Sequence, residues 1–310
     1  MYNVEADGLI KRYGANEALG GVSFRVGAGE IFGVIGPDGA GKTSMFRILT
    51  TLILPDGGSA RVLGMDVVRN YRDIRTRIGY MPGRFSLYQD LSVEENIHFF
   101  ATLFGTSFEE NYGMVKDIYS HLEPFRKRKA GALSGGMKQK LALSCALIHK
   151  PEVLFLDEPT TGVDPVSRKE FWTMLGRLRD QGLSIIVSTP YMDEATLCDR
   201  IALIRKGRFL DTDTPSGIIS KFTLPLFAVS GQHMPSLLRD IRRIPNVLSC
   251  FAFGDRHHVV LEDRGLSTEA YADALGTALY AMGHTDVVIE RISPCVEDCY
   301  MYLDTLEERS

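Results

Sequence analysis

Short runs of hydrophobic residues recur along the first two-thirds of the chain and are separated by longer segments with helical periodicity. The runs are Ile31–Ile35, Val153–Leu156, Ile185–Ser188 and Ile201–Ile204. Nearly continuous apolar runs of four or five residues are typical of strands buried on both faces, as in parallel sheets. Before them, Val22, Phe24 and Val26 alternate with Ser23 and Arg25, which predicts a half-buried strand.

The segments between these runs predict helices. One helix opens near Lys42, a helical pattern extends from about Leu91 to Ile148, and another helix covers Lys169–Arg179. Buried strands that alternate with helices indicate an α/β core with a parallel sheet. The helical stretch between the glycine-rich segment Gly36–Thr43 and the acidic pair Asp157-Glu158, both described below, is most simply an inserted subdomain, at about residues 85–148.

The pattern changes after Thr214-Pro215-Ser216-Gly217, so we place a domain boundary there, with residues 1–216 before it and 217–310 after it. The following segments predict strand, helix, strand, strand, helix and strand: Leu226–Ser230, Ser236–Arg243, Val247–Phe253, His257–Leu261, Thr268–Met282 and Asp286–Arg291. This is the order of a small ferredoxin-like α+β domain. A closing helix starts at Ser293.

The composition narrows the class of protein. The chain is 45% hydrophobic and 24% charged, with a net charge of −4, which is globular and argues against a nucleic-acid binder. No apolar run approaches the roughly 20 residues that span a bilayer, and the start shows no signal sequence, so we expect a cytoplasmic protein. Five scattered cysteines favour reduced thiols. His257 and His258 have no partners at metal-ligand spacing and are predicted to lie at the surface.

A glycine-rich segment follows the Ile31–Ile35 strand and fits the pattern G-x-x-x-x-G-K-[ST]. We predict that it binds a nucleotide through Gly36, Pro37, Asp38, Gly39, Ala40, Gly41, Lys42 and Thr43, with Ser44 next to them. Glycines allow backbone N–H groups to wrap phosphate oxygens at a helix N-terminus. In this motif the lysine reaches the β- and γ-phosphates and the threonine is a Mg²⁺ ligand.

Two further motifs suit phosphoryl chemistry. Asp157 and Glu158 end the Val153–Leu156 strand, where Asp157 is a candidate Mg²⁺ ligand and Glu158 a candidate base for the attacking water. The turn Ser134-Gly135-Gly136-Met137 opens another helix and forms a second candidate anion site. Two phosphate sites on separate segments predict a head-to-tail dimer, in which each nucleotide lies between the two chains.

These motifs, with Thr161-Gly162-Val163-Asp164, resemble the ATPases of ABC transporters in type and order, over about two-thirds of the chain. Tyr80-Met81-Pro82 and the trailing segment Ser293–Asp298 are similar to the bacterial drug-export and ABC-2 branch. The resemblance implies a P-loop NTPase core with an antiparallel β subdomain and a helical subdomain. It implies ATP and Mg²⁺ as cofactors, Tyr13 on the adenine, and Asp164 in the D-loop at the dimer seam. It also implies a second ATPase subunit and integral membrane subunits that hold the chain at the inner face of the membrane.

Two positions depart from this family. Gly83 stands where a glutamine usually contacts Mg²⁺ and the attacking water, and Pro190 where a histidine usually contacts the γ-phosphate. The sequence therefore favours an asymmetric heterodimer in which this chain's own site hydrolyses slowly and its Ser134–Gly136 turn completes a faster site on a partner. A working homodimer and a regulatory, non-transport ATPase remain the alternatives.

Overall fold

The four apolar runs form neighbouring strands of one sheet. The computed structural model describes residues 2–309, and the chain divides into two units between Thr214 and Pro215. The strands of the first unit are β1 (Tyr2–Tyr13), β2 (Asn16–Gly27), β3 (Ile31–Ile35), β4 (Gly57–Val62), β5 (Met65–Asp66), β6 (Ile78–Met81), β7 (Val153–Asp157), β8 (Ser184–Thr189), β9 (Arg200–Arg205) and β10 (Arg208–Asp213). Its α-helices are α1 (Lys42–Leu49), α2 (Tyr71–Arg77), α3 (Val93–Leu103), α4 (Phe108–Tyr119), α5 (Gly135–Leu147) and α6 (Pro165–Asp180).

The central sheet has the strand order β10-β9-β3-β8-β7-β6. Strands β6, β7, β8, β3 and β9 are parallel, and β10 is antiparallel to β9 at the edge. Every residue of β3, β7 and β8 is buried, which explains their continuous apolar runs. The predicted parallel α/β core is therefore confirmed, and the carboxyl ends of β3, β6, β7 and β8 meet at one edge.

A second, antiparallel sheet has the order β2-β1-β4-β5. Its alternating apolar residues pack into the same hydrophobic core as α1 and the central sheet. Phe24 of β2 stacks on Phe32 of β3, with ring centroids 5.4 Å apart, which holds the two sheets together. The antiparallel β subdomain that the family resemblance implied is present.

Helices α3, α4 and α5 are inserted between β6 and β7. Ser92 caps α3 and Ser107 caps α4, each in a reciprocal capping box with the glutamate three residues later, Glu95 or Glu110. Such caps stabilise a helix start by about 1 kcal/mol. The inserted helices lie within the predicted helical subdomain.

The second unit has its own hydrophobic core. Its elements are α7 (Pro215–Ser220), β11 (Leu226–Ser230), α8 (Met234–Ile241), β12 (Val247–Phe253), β13 (Arg256–Leu261), α9 (Thr268–Ala281), β14 (Val288–Arg291) and α10 (Val296–Arg309). The sheet is antiparallel with the order β12-β13-β11-β14. Helix α8 begins two residues earlier than Ser236, and α10 begins three residues later than Ser293.

One surface prediction was wrong in this unit. His257 is 3% exposed, and its Nε2 lies 2.8 Å from the carbonyl oxygen of Met234 at the start of α8. His258 contacts the Asp298 carboxylate at 2.7 Å. Side chains alternate between the two faces of β13, and His257 lies on the buried face. The sequence His257-His258 does not indicate which of the two histidines is buried.

The five cysteines, Cys145, Cys198, Cys250, Cys295 and Cys299, are free thiols, as the sequence predicted. Within residues 2–309, no helix has both the length and the apolar character needed to cross a membrane.

Candidate nucleotide-binding site

The glycine-rich segment forms the loop that joins β3 to α1. Gly41 is the N-cap of α1 and has φ 104°, a left-handed conformation that favours glycine. A Cβ atom at Gly41 would lie 2.3 Å from the carbonyl oxygen of Ala18, so a larger residue does not fit. The loop therefore directs the free N–H groups and the positive end of the α1 dipole to the same place, which suits a phosphate.

Lys42 lies beneath this loop and is 3% exposed. Its Nζ donates to the carbonyl oxygens of Gly36, at 2.7 Å, and Pro37, at 2.9 Å. The same Nζ lies 3.1 Å from Oε1 of Glu158. The contact with Glu158 joins residues 116 positions apart and brings the phosphate-binding cation to the predicted catalytic carboxylate.

Asp157 ends β7 and is 2% exposed. Its Oδ1 accepts a hydrogen bond of 2.6 Å from the hydroxyl of Ser188 on the neighbouring strand β8. The backbone N–H of Glu158 donates to the carbonyl oxygen of Ser188 at 3.0 Å, and Glu158 has φ 51°. Sequence reasoning missed Ser188. The sequence signal that could have found it was a serine near the carboxyl end of β8, the strand that neighbours β7.

Two cavities meet at Thr43 and Glu158. The first, of about 230 Å³, is lined by Tyr13, Lys42 and Ser44 as well as the two shared residues. Tyr13 is 47% exposed, its hydroxyl lies 3.4 Å from Oγ of Ser44, and Nζ of Lys11 lies over its ring, 5.5 Å from the ring centroid. This is the geometry expected of an aromatic platform beside the phosphate loop.

The second cavity, of about 490 Å³, contains the Asp157 carboxylate and the position where the family glutamine is missing. Tyr80, Gly83 and Arg84 from the end of β6 line it, opposite Thr43 and Asp157. Burial raises the pKa of Tyr80 to about 12, and the negative charge of Asp157 adds to this effect. Tyr80 is therefore protonated at neutral pH and adds no negative charge to this wall.

The residues at these cavities fit a nucleotide with Mg²⁺. The hydroxyl of Thr43 and the carboxylate of Asp157 face one cavity, and hard oxygen ligands of this kind are those that Mg²⁺ prefers. When bound, the metal ion would neutralise charge on the phosphate oxygens. Lys42 and the α1 N-terminus add positive charge beside this cavity, and Glu158, which also lines it, is the candidate proton acceptor.

Pro190 follows β8 in a turn that a buried carboxylate holds in place. Glu194 is 1% exposed and accepts hydrogen bonds from the hydroxyls of Thr160, at 2.7 Å, and Thr189. The N–H of Tyr191 donates to the Thr189 hydroxyl at 3.0 Å. The turn is ordered without the usual histidine, and its side chain at position 190 offers no hydrogen-bond donor.

The Ser134–Met137 turn lies at the start of α5, and Ser134 is its N-cap, accepting from the N–H of Met137 at 3.4 Å. The turn packs against the loop that leads into α6. A Cβ atom at Gly136 would lie 2.6 Å from Oγ of Ser167, and Asp164 caps α6 by accepting from the N–H of Ser167 at 3.0 Å. Within residues 2–309, this turn and Asp164 line neither of the two cavities.

Comparison with known proteins gives a consistent result. The family model described as "ABC transporter" matches residues 19–161. The probable multidrug ABC transporter ATP-binding protein YbhF of Escherichia coli is 40% identical over 218 residues, which is 69% of this chain and 38% of YbhF. The chain thus spans less than half of that relative's length.

A relative of more similar length is the Nod factor export ATP-binding protein I of Paraburkholderia xenovorans. It is 39% identical over 220 residues, which cover 70% of this chain and 72% of that protein. Among solved structures, an ATP-binding subunit of an ABC transporter matches with a TM-score of 0.65 and 27% identity, over 71% of this chain and 92% of that one. The predicted resemblance to the ATP-binding proteins of ABC transporters is confirmed, and this chain belongs to the ABC transporter family.

Proposed function

We propose that this chain powers an exporter by closing, with ATP, onto a second ATPase subunit, and that its own site hydrolyses ATP slowly. The observation that carries the proposal is the second cavity, in which Thr43, Asp157 and Glu158 face Gly83. The groups that bind phosphate and metal and the candidate base are present, and the side chain that would position water is missing. Positioning groups of this kind commonly contribute about 10²- to 10⁴-fold in rate.

The Ser134–Met137 turn supports the second half of this proposal. Its N-cap serine and Gly135 are exposed, so the free N–H groups of α5 are accessible to a phosphate of another subunit. In a head-to-tail dimer this turn would complete a partner's ATP site, with Asp164 at the seam. This chain has the complete Ser134–Met137 turn but lacks the water-positioning side chain in its own cavity. That combination favours a heterodimer over a homodimer.

A groove beside the inserted helices supports coupling to a membrane subunit. It has a volume of about 310 Å³ and is lined mainly by apolar and aromatic side chains, among them Tyr80, Pro82, Phe100 and Phe104. Leu52 at its rim is 53% exposed. Tyr80 also lines the cavity of Asp157, so a helix of a membrane subunit docked here would contact the wall of the nucleotide site.

The second unit is proposed to be a ferredoxin-like accessory domain. The strand order β12-β13-β11-β14, with α8 and α9 as the crossover helices, supports that assignment. The protein is proposed to act in the cytoplasm at the inner face of the cell membrane, held there by the transporter subunits.

Steady-state ATP hydrolysis by the purified chain tests the slow-site proposal. The wild type is compared with Gly83→Gln, Pro190→His and the double variant, and ATP binding is measured for each. A Cβ atom at Gly83 would lie 3.1 Å from the carbonyl oxygen of Asp157, so a glutamine fits after a shift of a few tenths of an ångström. We expect a wild type that binds ATP but turns it over slowly, and a double variant that is at least tenfold faster.

Glu158→Gln is the control for residual activity, because it removes the candidate base and leaves the phosphate loop intact. If the wild type hydrolyses ATP briskly and only Glu158→Gln stops it, the slow-site proposal is wrong. The chain would then work as a homodimer.

A further inference from the structure

The cavity of Asp157 contains two arginines that sequence reasoning did not assign a role. Arg47, from α1, and Arg84, from the segment after β6, both line it together with Thr43, Asp157 and Glu158. Both arginines are exposed residues as well as part of the cavity lining. Tyr13 lines only the first cavity, so a nucleotide with its base on Tyr13 would bring its terminal phosphate to this second cavity.

The three cationic side chains at this site differ in the contacts that they make. Lys42 contacts two loop carbonyls and Glu158. The positive charge of Arg47 acts on Tyr80, where it opposes the rise in the pKa that burial causes. Among the described contacts of residues 2–309, Arg84 has no hydrogen bond, ion pair or ring contact, so its guanidinium is free to turn towards a ligand without breaking an existing interaction.

Gly83 leaves space for that movement. A Cβ atom at this position would lie 3.1 Å from the Asp157 carbonyl oxygen and 3.9 Å from its carboxyl carbon. A side chain here would occupy the wall beside the carboxylate. With glycine in place, the neighbouring Arg84 has access to the same region of the cavity.

Electrostatics make a cation useful there. Asp157 and Glu158 present two carboxylates, and the terminal phosphate of ATP brings further negative charge to them. A guanidinium matches phosphate oxygens with two parallel N–H donors, and hydrogen bonds between charged partners are the strong ones.

We propose that Arg84 contacts the terminal phosphate of ATP and makes this site retain ATP in preference to ADP. The inference rests on the proposed function, since it takes the cavity to be the terminal-phosphate site of a slowly hydrolysing subunit. ADP lacks the phosphate that Arg84 reaches, so the contribution of Arg84 is confined to ATP. The site would then discriminate by charge where the usual glutamine would have positioned water.

The test measures dissociation constants for Mg·ATP and Mg·ADP by isothermal titration calorimetry, in the Glu158→Gln background to prevent turnover. Arg84→Ala is expected to weaken ATP binding about 10- to 100-fold and to change ADP binding less than twofold. Arg84→Lys keeps the charge and loses the paired donors, so its dissociation constant for ATP should lie between those of the background chain and Arg84→Ala. Arg69→Ala removes an exposed arginine that does not line the cavity and should change neither constant.

The ratio of the two constants decides the inference, and ADP binding reports whether each variant is folded. If Arg84→Ala weakens ATP and ADP equally, or weakens neither, Arg84 does not read the terminal phosphate and the inference is wrong while the proposed function stands. If the unsubstituted background chain binds neither nucleotide, both the inference and the proposed function are overturned.

Discussion

Replacing Ser188 with alanine tests whether the hydroxyl beside Asp157 prepares the site for Mg²⁺. Ser188 and Asp157 are buried, at 0% and 2% exposure, and the hydroxyl donates to the carboxylate at 2.6 Å. Hydrogen bonds to charged groups contribute about 1.5–3 kcal/mol, and outer partners of metal ligands typically change metal affinity about 10- to 100-fold. The N–H of Glu158 donates to the Ser188 carbonyl oxygen, at 3.0 Å, and to the Ser188 hydroxyl, at 3.1 Å, so Ser188→Ala removes the second of these bonds and leaves the first.

We expect Ser188→Ala to raise the Mg²⁺ concentration needed for half-maximal ATP affinity by about 10- to 100-fold, because Asp157 loses the donor that orients it. ATP affinity is measured by calorimetry over a series of Mg²⁺ concentrations. The free energy of unfolding, from urea denaturation, should fall by about 1–3 kcal/mol.

Ser184→Ala is the matched control. Ser184 lies on the same strand and is equally buried, but its hydroxyl bonds to the backbone N–H of Gly29, at 3.0 Å, and to the side chain of Asn3, at 2.9 Å. It should lower stability and leave the Mg²⁺ dependence unchanged. If the two variants lose similar stability and Ser188→Ala keeps the Mg²⁺ dependence within twofold of wild type, Ser188 is a structural residue and the reasoning fails.

Three further predictions concern other parts of the first unit. Tyr13→Ala should raise the dissociation constant for ATP about 5- to 100-fold by removing a stacking surface, whereas Tyr13→Phe should match wild type in the same titration. Gly136→Ala places a Cβ atom 2.6 Å from Oγ of Ser167, so it should disrupt ATP-driven dimerisation in size-exclusion chromatography while ATP binding to the monomer is unchanged. Burial lowers the pKa of His149 below its ordinary value of 6.5, so the unfolded chain takes up this proton first as pH falls. The free energy of unfolding should therefore decrease below about pH 6.5, by up to about 1.4 kcal/mol per pH unit, and His149→Gln should flatten this slope in urea denaturation at pH 5–7.

The sequence predicts the site where its determinants are local. Gly36–Thr43 is one continuous segment, and glycine spacing, strand and helix start can all be read from neighbouring residues. The buried strands could be located for the same reason, since a run such as Ile31–Ile35 needs no partner to be recognised. The start of α8 was predicted two residues too late, because the position of a helix boundary depends on one or two residues.

Contacts between distant segments could not be derived from the pattern. The hydrogen bond between Ser188 and Asp157 spans 31 positions, and it requires β7 and β8 to be neighbours in register. That Arg84 has no partner among the described residues could not be predicted either, because it depends on the positions of all the segments around it. The long strand β1 was not specified by residue either, because its polar and apolar positions alternate irregularly around several bulges.

Glu158 carries a consequence for how this protein tolerates change. Its φ of 51° lies in the left-handed region, which costs a residue with a side chain about 1–2 kcal/mol relative to glycine. Glycine at this position would relieve that strain, although it would also remove the carboxylate beside Lys42. Backbone strain and the ion pair with buried Lys42 therefore act in opposite directions on stability at this position. The free energy of unfolding of a Glu158→Gly variant, relative to the wild type, measures which of the two effects is larger.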